Sequence, residues 1–156
     1  MTVERADAKA DYVRQVAAYW EKGGFTHAAG LILGQLMVCE PAEQTQADLA
    51  DALGLSMGSV STQLRTLTDA GMVERSPQPG ARAAVYRLPQ DMWIRILGTE
   101  AGRIAGLRTL ADAGLAVAPA SRRDRIGSLD QMVRFFEQEW PLLEQRLEEF
   151  LRKEGS

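Results

Sequence analysis

Cysteine and histidine are nearly missing from this chain. Cys39 is the single cysteine, so no disulfide can close within one chain. His27 is the single histidine, which leaves no multi-histidine metal cluster. There is no Cys-x-x-Cys pair, no phosphate-cradling glycine loop and no paired-carboxylate motif. No catalytic residue, metal or cofactor is therefore assigned, and an enzyme is not expected. No stretch approaches 18 uncharged apolar residues, so no membrane span is expected. Met1-Thr2-Val3-Glu4-Arg5 lacks the apolar run of a signal peptide, and a cytoplasmic location is the simple expectation. A basic excess is missing too: 18 basic against 21 acidic side chains give a net charge of −3. That counts mildly against a nucleic-acid partner.

What is present is an ordinary globular composition, 46% hydrophobic and 25% charged, which argues against disorder along the whole length. The charge is unevenly placed. Residues 1–43 carry 4 basic and 6 acidic groups, whereas residues 61–87 carry Arg65, Arg75, Arg82 and Arg87 against Asp69 and Glu74. The local excess of +2 matters more for phosphate contact than the total does.

Apolar residues at helical spacing predict a helix over 4–22, stopped by Gly23-Gly24, and a second from a Thr26 cap to before Pro41. Thr45 with Asp48 three residues on marks the start of a short helix over 45–53, and Gly54 its left-handed end. Ser56 caps the next helix, 57–70, which stops at Gly71. Residues 72–75 and 84–88 read as strands around the turn-forming run Ser76-Pro77-Gln78-Pro79-Gly80-Ala81-Arg82. A long helix follows over about 90–114, then a linker over 116–121, then a last helix over about 122–153. Gly98, Gly102 and Gly106 share one stripe of the long helix, and their helix-weakening cost predicts close approach of another backbone. Pro141 removes a donor from the last helix, so a kink or break is expected there.

Two short helices joined through Gly54 and followed by a hairpin form the grammar of a winged helix-turn-helix. At 100° per residue, Met57, Val60, Leu64 and Leu67 fall on one side of helix 57–70 and are expected in the core. Gly58, Ser59, Thr62, Arg65 and Thr66 cover the opposite side, which has no acid until Asp69. A surface helix normally carries Glu and Lys; a helix entering the major groove needs small, hydroxylic and basic groups instead. Ser56, Gly58, Ser59, Ser61, Thr62, Gln63, Arg65 and Thr66 are accordingly the candidate DNA-contacting residues of this helix, with Arg75, Gln78, Gly80 and Arg82 on the wing, lying along the backbone or in the minor groove. The overall expectation is a mainly α fold with a small β-hairpin wing. A dimerisation helix would span residues 1–24, a DNA-binding domain 25–89 and a helical dimerisation region 90–156. The other reading is a winged-helix module that binds protein, which the negative net charge favours.

The run Ala50-Asp51-Ala52-Leu53-Gly54-Leu55-Ser56-Met57-Gly58-Ser59-Val60-Ser61-Thr62-Gln63-Leu64-Arg65-Thr66-Leu67, followed by Gly71-Met72-Val73, resembles the MarR-type winged-helix regulators. It is most similar to their GbsR-like branch, as is Gly24-Phe25-Thr26-His27-Ala28-Ala29-Gly30-Leu31-Ile32-Leu33-Gly34 upstream. The resemblance covers about residues 12–95. It implies a homodimer and repression of nearby genes relieved by a small ligand. The chain departs from the pattern at the wing tip, where Pro77 and Pro79 replace an acidic-basic pair.

Ile126, Leu129, Val133, Phe136, Trp140, Leu143, Leu147 and Phe150 are spaced alternately three and four apart, a heptad seam that predicts pairing with a second copy. A two-fold dimer would set its recognition helices about 34 Å apart and so read a palindromic duplex. Tyr19, Trp20, Phe25 and Trp93 are the candidate lining of an effector pocket. Cys39, ending an apolar helix with no cation beside it in sequence, reads as a structural thiol and not a redox sensor.

Overall fold

Two glycines on α2 set the spacing of the first helical pair. In the computed structural model, which describes residues 3–155, α1 spans Val3–Lys22 and α2 spans His27–Val38. A Cβ added at Gly30 would lie 2.6 Å from Ala17 Cα, and one at Gly34 would lie 3.0 Å from Val13 Cα. Only hydrogen fits at these positions, so the two backbones touch. Val13, Ala17 and Trp20 are the buried positions of α1, and they face an α2 buried almost throughout its middle. Thr26 caps α2 by accepting from the Ala29 amide, and its hydroxyl donates to Gln63 Oε1 of the fourth helix at 2.7 Å.

After α2 come β1 (Gln44–Thr45), α3 (Gln46–Leu53) and α4 (Met57–Asp69). Thr45 and Asp48 close a reciprocal capping box, and Gly54 ends α3 at φ 64°, where a side chain would be strained. Ser56 caps α4 by accepting from the Ser59 amide at 3.1 Å. Leu49 of α3, Val60, Leu64 and Leu67 of α4, and Ile32 and Leu33 of α2 interlock as a core with almost no exposure. Each such side chain contributes about 1.5–3 kcal/mol through burial.

The strands are shorter than the sequence predicts: β2 is Glu74–Ser76 and β3 is Val85–Arg87. Residues 72 and 73 leave the ladder because Met72 and Val73 turn inward as buried core. β3 lies in the middle of an antiparallel sheet of order β1-β3-β2, so β1, too short to carry a periodic signal, completes the ribbon. Met57 also departs from expectation. It is 51% exposed, because a side chain in the first helical turn points back past the helix start, beyond the layer that buries Val60.

Chain contacts fall into two units, one running to Arg95 and the other from Ile96. The second unit is built from α5 (Met92–Val117) beyond its first turn and from α6 (Arg123–Glu154), joined through a 3-10 turn at Ala120–Arg122. The expected linker therefore shrinks to Ala118 and Pro119, and α6 continues without a break through Pro141. Its dry centre is small: Ala111 and Val133 are fully buried, and Ile126 packs against Gly114. The Arg108 guanidinium ties the helices together, donating to Glu137 and Asp130 of α6 and to Asp112. The glycine stripe does not behave as expected within the chain. A Cβ at Gly98, Gly102 or Gly106 would meet nothing within 4 Å.

Candidate nucleic-acid interface

The polar side of α4 is small and open. Gly58 has free space where a side chain would stand, and Ser56, Thr62, Arg65 and Thr66 are exposed. The Thr62 hydroxyl donates to the Gly58 carbonyl at 3.0 Å and that of Thr66 to the Thr62 carbonyl at 3.3 Å. With their protons held by the helix, these threonines present methyls and acceptor lone pairs outward. Such groups match thymine methyls and the amino groups of adenine and cytosine. Ser59, Ser61 and Gln63 sit half-buried on the flanks. Gln63 accepts the Thr26 hydroxyl, so its oxygen braces α4 against α2.

The ribbon separates its arginines by face. Glu74 pairs with Arg87 across the ladder, and Arg75 pairs with Tyr86. Directly opposed residues share a face, and alternate residues point to opposite faces. One face therefore carries a neutralised pair: Arg87 Nε donates to Glu74 Oε2 at 3.1 Å, with Arg95 on the same carboxylate. The other face carries Arg75. Among the described residues, Arg65, Arg75 and Arg82 meet no carboxylate within ion-pair distance. At the wing tip, the Ala81 amide donates to the Gln78 carbonyl at 3.1 Å, and Gly80 takes φ 79°. Gln78 is half-buried while Gly80 and Arg82 are exposed.

The four aromatics singled out in the sequence gather around Trp20. Tyr19 and Phe25 meet its ring edge-on at 5.3 and 5.5 Å, and Trp93 stacks on it at 6.1 Å. Tyr19, Trp20 and Trp93 line a shallow apolar recess of about 350 Å³, together with Tyr12 and Met37. Phe25 supports Trp20 from outside that lining. Tyr12 and Met37 escaped the sequence reading because only the packing of α2 on α1 brings them together. Burial pushes the Cys39 thiol up from its ordinary range, so it is not an activated thiolate.

Of the seam residues, Val133 is buried and Ile126, Leu129, Phe136, Trp140 and Leu147 are half-buried, whereas Leu143 and Phe150 are exposed. Phe136 stacks obliquely on Trp140 at 6.2 Å.

The sequence model of the MarR family matches residues 24–84, and that of MmpR5-like MarR family transcriptional regulators matches residues 91–150. The chain is 33% identical over 130 residues to the HTH-type transcriptional regulator MmpR5 of Mycobacterium tuberculosis, an alignment that covers 81% of this chain and 79% of that protein. A solved crystal structure of a transcriptional regulator superposes with a TM-score of 0.79 at 30% identity, covering 91% of this chain and 99% of the other. The winged helix-turn-helix read in residues 45–88 is thus that of a known group of regulators. The chain belongs to the MarR family and is a DNA-binding transcriptional regulator.

Proposed function

We propose that the protein is a homodimeric, ligand-responsive repressor that places α4 in the major groove and lays its wing along the backbone or minor groove. The observation that carries this reading is the continuous surface of small and hydroxylic groups on α4, bordered by three arginines without carboxylate partners. Unpaired arginines cost nothing to redirect to phosphate or a guanine edge, whereas Arg87 would first have to leave Glu74. Division of labour follows the domains read from the sequence: residues 25–89 for DNA, residues 1–24 and 90–156 for pairing two copies, with Leu143 and Phe150 the exposed members of the α6 seam. A two-fold dimer then reads a palindromic operator. The aromatic recess around Trp20 is the proposed effector site, and the narrower GbsR-like placement rests on the α4 run. The reading involves no catalysis and suits a cytoplasmic protein. Among the described residues, no helix is long and apolar enough to cross a membrane.

The test is binding to a fluorescent duplex from upstream of the gene, against a scrambled duplex, at two salt concentrations. Specific and salt-sensitive binding by two protomers is expected, because each neutralised phosphate releases counterions. Arg65→Ala should lose about 1–3 kcal/mol of specific affinity without a change in melting temperature. Equal affinity for both duplexes at low salt would remove this upstream segment as the operator and leave either an operator elsewhere or a protein-binding module.

A further inference from the structure

A recess of about 300 Å³ lies where the ribbon meets the starts of α3 and α4, and its lining includes Arg75, Arg82, Tyr86, Gln46 and Met57. No carboxylate lines it. The nearest first-turn acid, Asp48, is turned back onto Thr45, accepting from both its amide and its hydroxyl at 2.8 and 2.7 Å. Those bonds hold the Asp48 carboxyl below the usual carboxylate range, so it stays committed to the cap.

Tyr86 is the least obvious member. It is 7% exposed, and its Oη accepts from Gln46 Nε2 at 3.3 Å. Its own proton has no acceptor among the described residues. A tyrosine hydroxyl with an idle donor, lining one recess with two arginines free of carboxylates, is a set of donors suited to one acceptor-rich anion. Register places Arg75 and Tyr86 on the same face of the ribbon, and the wing returns Arg82 to the same recess.

We propose that this recess seats a single DNA backbone phosphate, held jointly by Arg75, Arg82 and the Tyr86 hydroxyl. The proposal rests on the DNA-binding reading and sharpens it: it assigns Arg75, Arg82 and Tyr86 to one phosphate of the backbone. Met57 contributes an apolar side to the recess.

The experiment measures the salt dependence of duplex affinity for the full chain and for Arg75→Ala, Arg82→Ala, the double variant and Tyr86→Phe, with Arg87→Ala as control. Melting temperatures verify folding. One phosphate contributes a slope of about 0.9 in log K against log salt. A shared seat predicts that the double variant loses about 0.9 per protomer. Tyr86→Phe should weaken specific and scrambled duplexes alike by about tenfold or more at unchanged slope, since it removes an uncharged donor bonded to a charged acceptor. A loss of about 1.8 per protomer in the double variant means two separate phosphates and overturns the seat. A wild-type slope in the double variant overturns it as well, and so does unchanged affinity in Tyr86→Phe. Each of these leaves the DNA-binding reading standing. Absence of salt-sensitive binding in the wild type would end both.

Discussion

The first unit and the second each carry a helix with glycines four residues apart, and the two stripes do opposite things. On α2, Gly30 and Gly34 let the backbone of α1 approach until a single added carbon would collide with it. On α5, Gly98, Gly102 and Gly106 face open space. Sequence spacing is the same in both, and so is the helical weakening of up to ~1 kcal/mol per glycine. What differs is whether a backbone of the same chain lies against the stripe. One arginine cluster in each unit shows a second contrast. The first unit leaves Arg65, Arg75 and Arg82 without carboxylates, while in the second Arg108 is held by three. One unit has a tight core and an unfinished polar surface; the other has a thin core held by charge and an unfinished apolar surface.

The strongest way to break the comparison is at Gly30. Gly30→Val would push two methyls and a Cβ into Ala17, whose backbone cannot yield without moving α1. Overpacking of this kind costs about 3 kcal/mol. Urea unfolding should show a markedly lower midpoint, and an unchanged midpoint would mean that α1 and α2 are not in backbone contact.

Much of the first unit was legible in the sequence because its signals are local. The Thr45–Asp48 box, the Ser56 cap and Gly54 act within a few residues of themselves, and each appears where the pattern puts it. Other features depend on what lies opposite in space. The two-residue β1 exists only because β3 lies beside it. The kinship of Arg75 with Tyr86 depends on ladder register, which the wing loop sets and a sequence period does not. Met57 failed for a related reason: the angular rule assumes that the core layer extends along the whole helix, and at the first turn of α4 it leaves Met57 half covered. The same gap hides the Arg108 cluster, whose members lie 22 and 29 residues apart.

That cluster gives a smaller, pH-dependent effect. Arg108 holds the carboxyls of Glu137 and Asp130 below their ordinary values. Their folded affinity for protons is therefore lower than the unfolded one, so the stabilisation is full above the unfolded range near ~4 and fades as pH falls through the folded values. The melting temperature of Arg108→Met should fall below that of the wild type at pH 7, and the gap should close below about pH 4. A gap that does not narrow at all as the pH is lowered through the acid range would assign the role of Arg108 to packing of its carbon stem instead of to charge.

The smallest effect is the most informative about the apolar surface of the second unit. Within one chain, Gly102→Ala meets no atom and gains helix propensity, so it should raise stability by up to ~1 kcal/mol. If a second copy lays a helix across this stripe, as the proposed pairing allows, the added methyl falls inside the contact and the dimer loosens. Thermal unfolding followed across protein concentrations separates the two effects, because a loosened dimer dissociates at higher protein concentration and there loses the concentration-dependent part of its melting temperature. A uniform rise at every concentration would show that the α5 glycines face solvent. The seam of α6, with Leu143 and Phe150 exposed, would then be the surface left to join two copies.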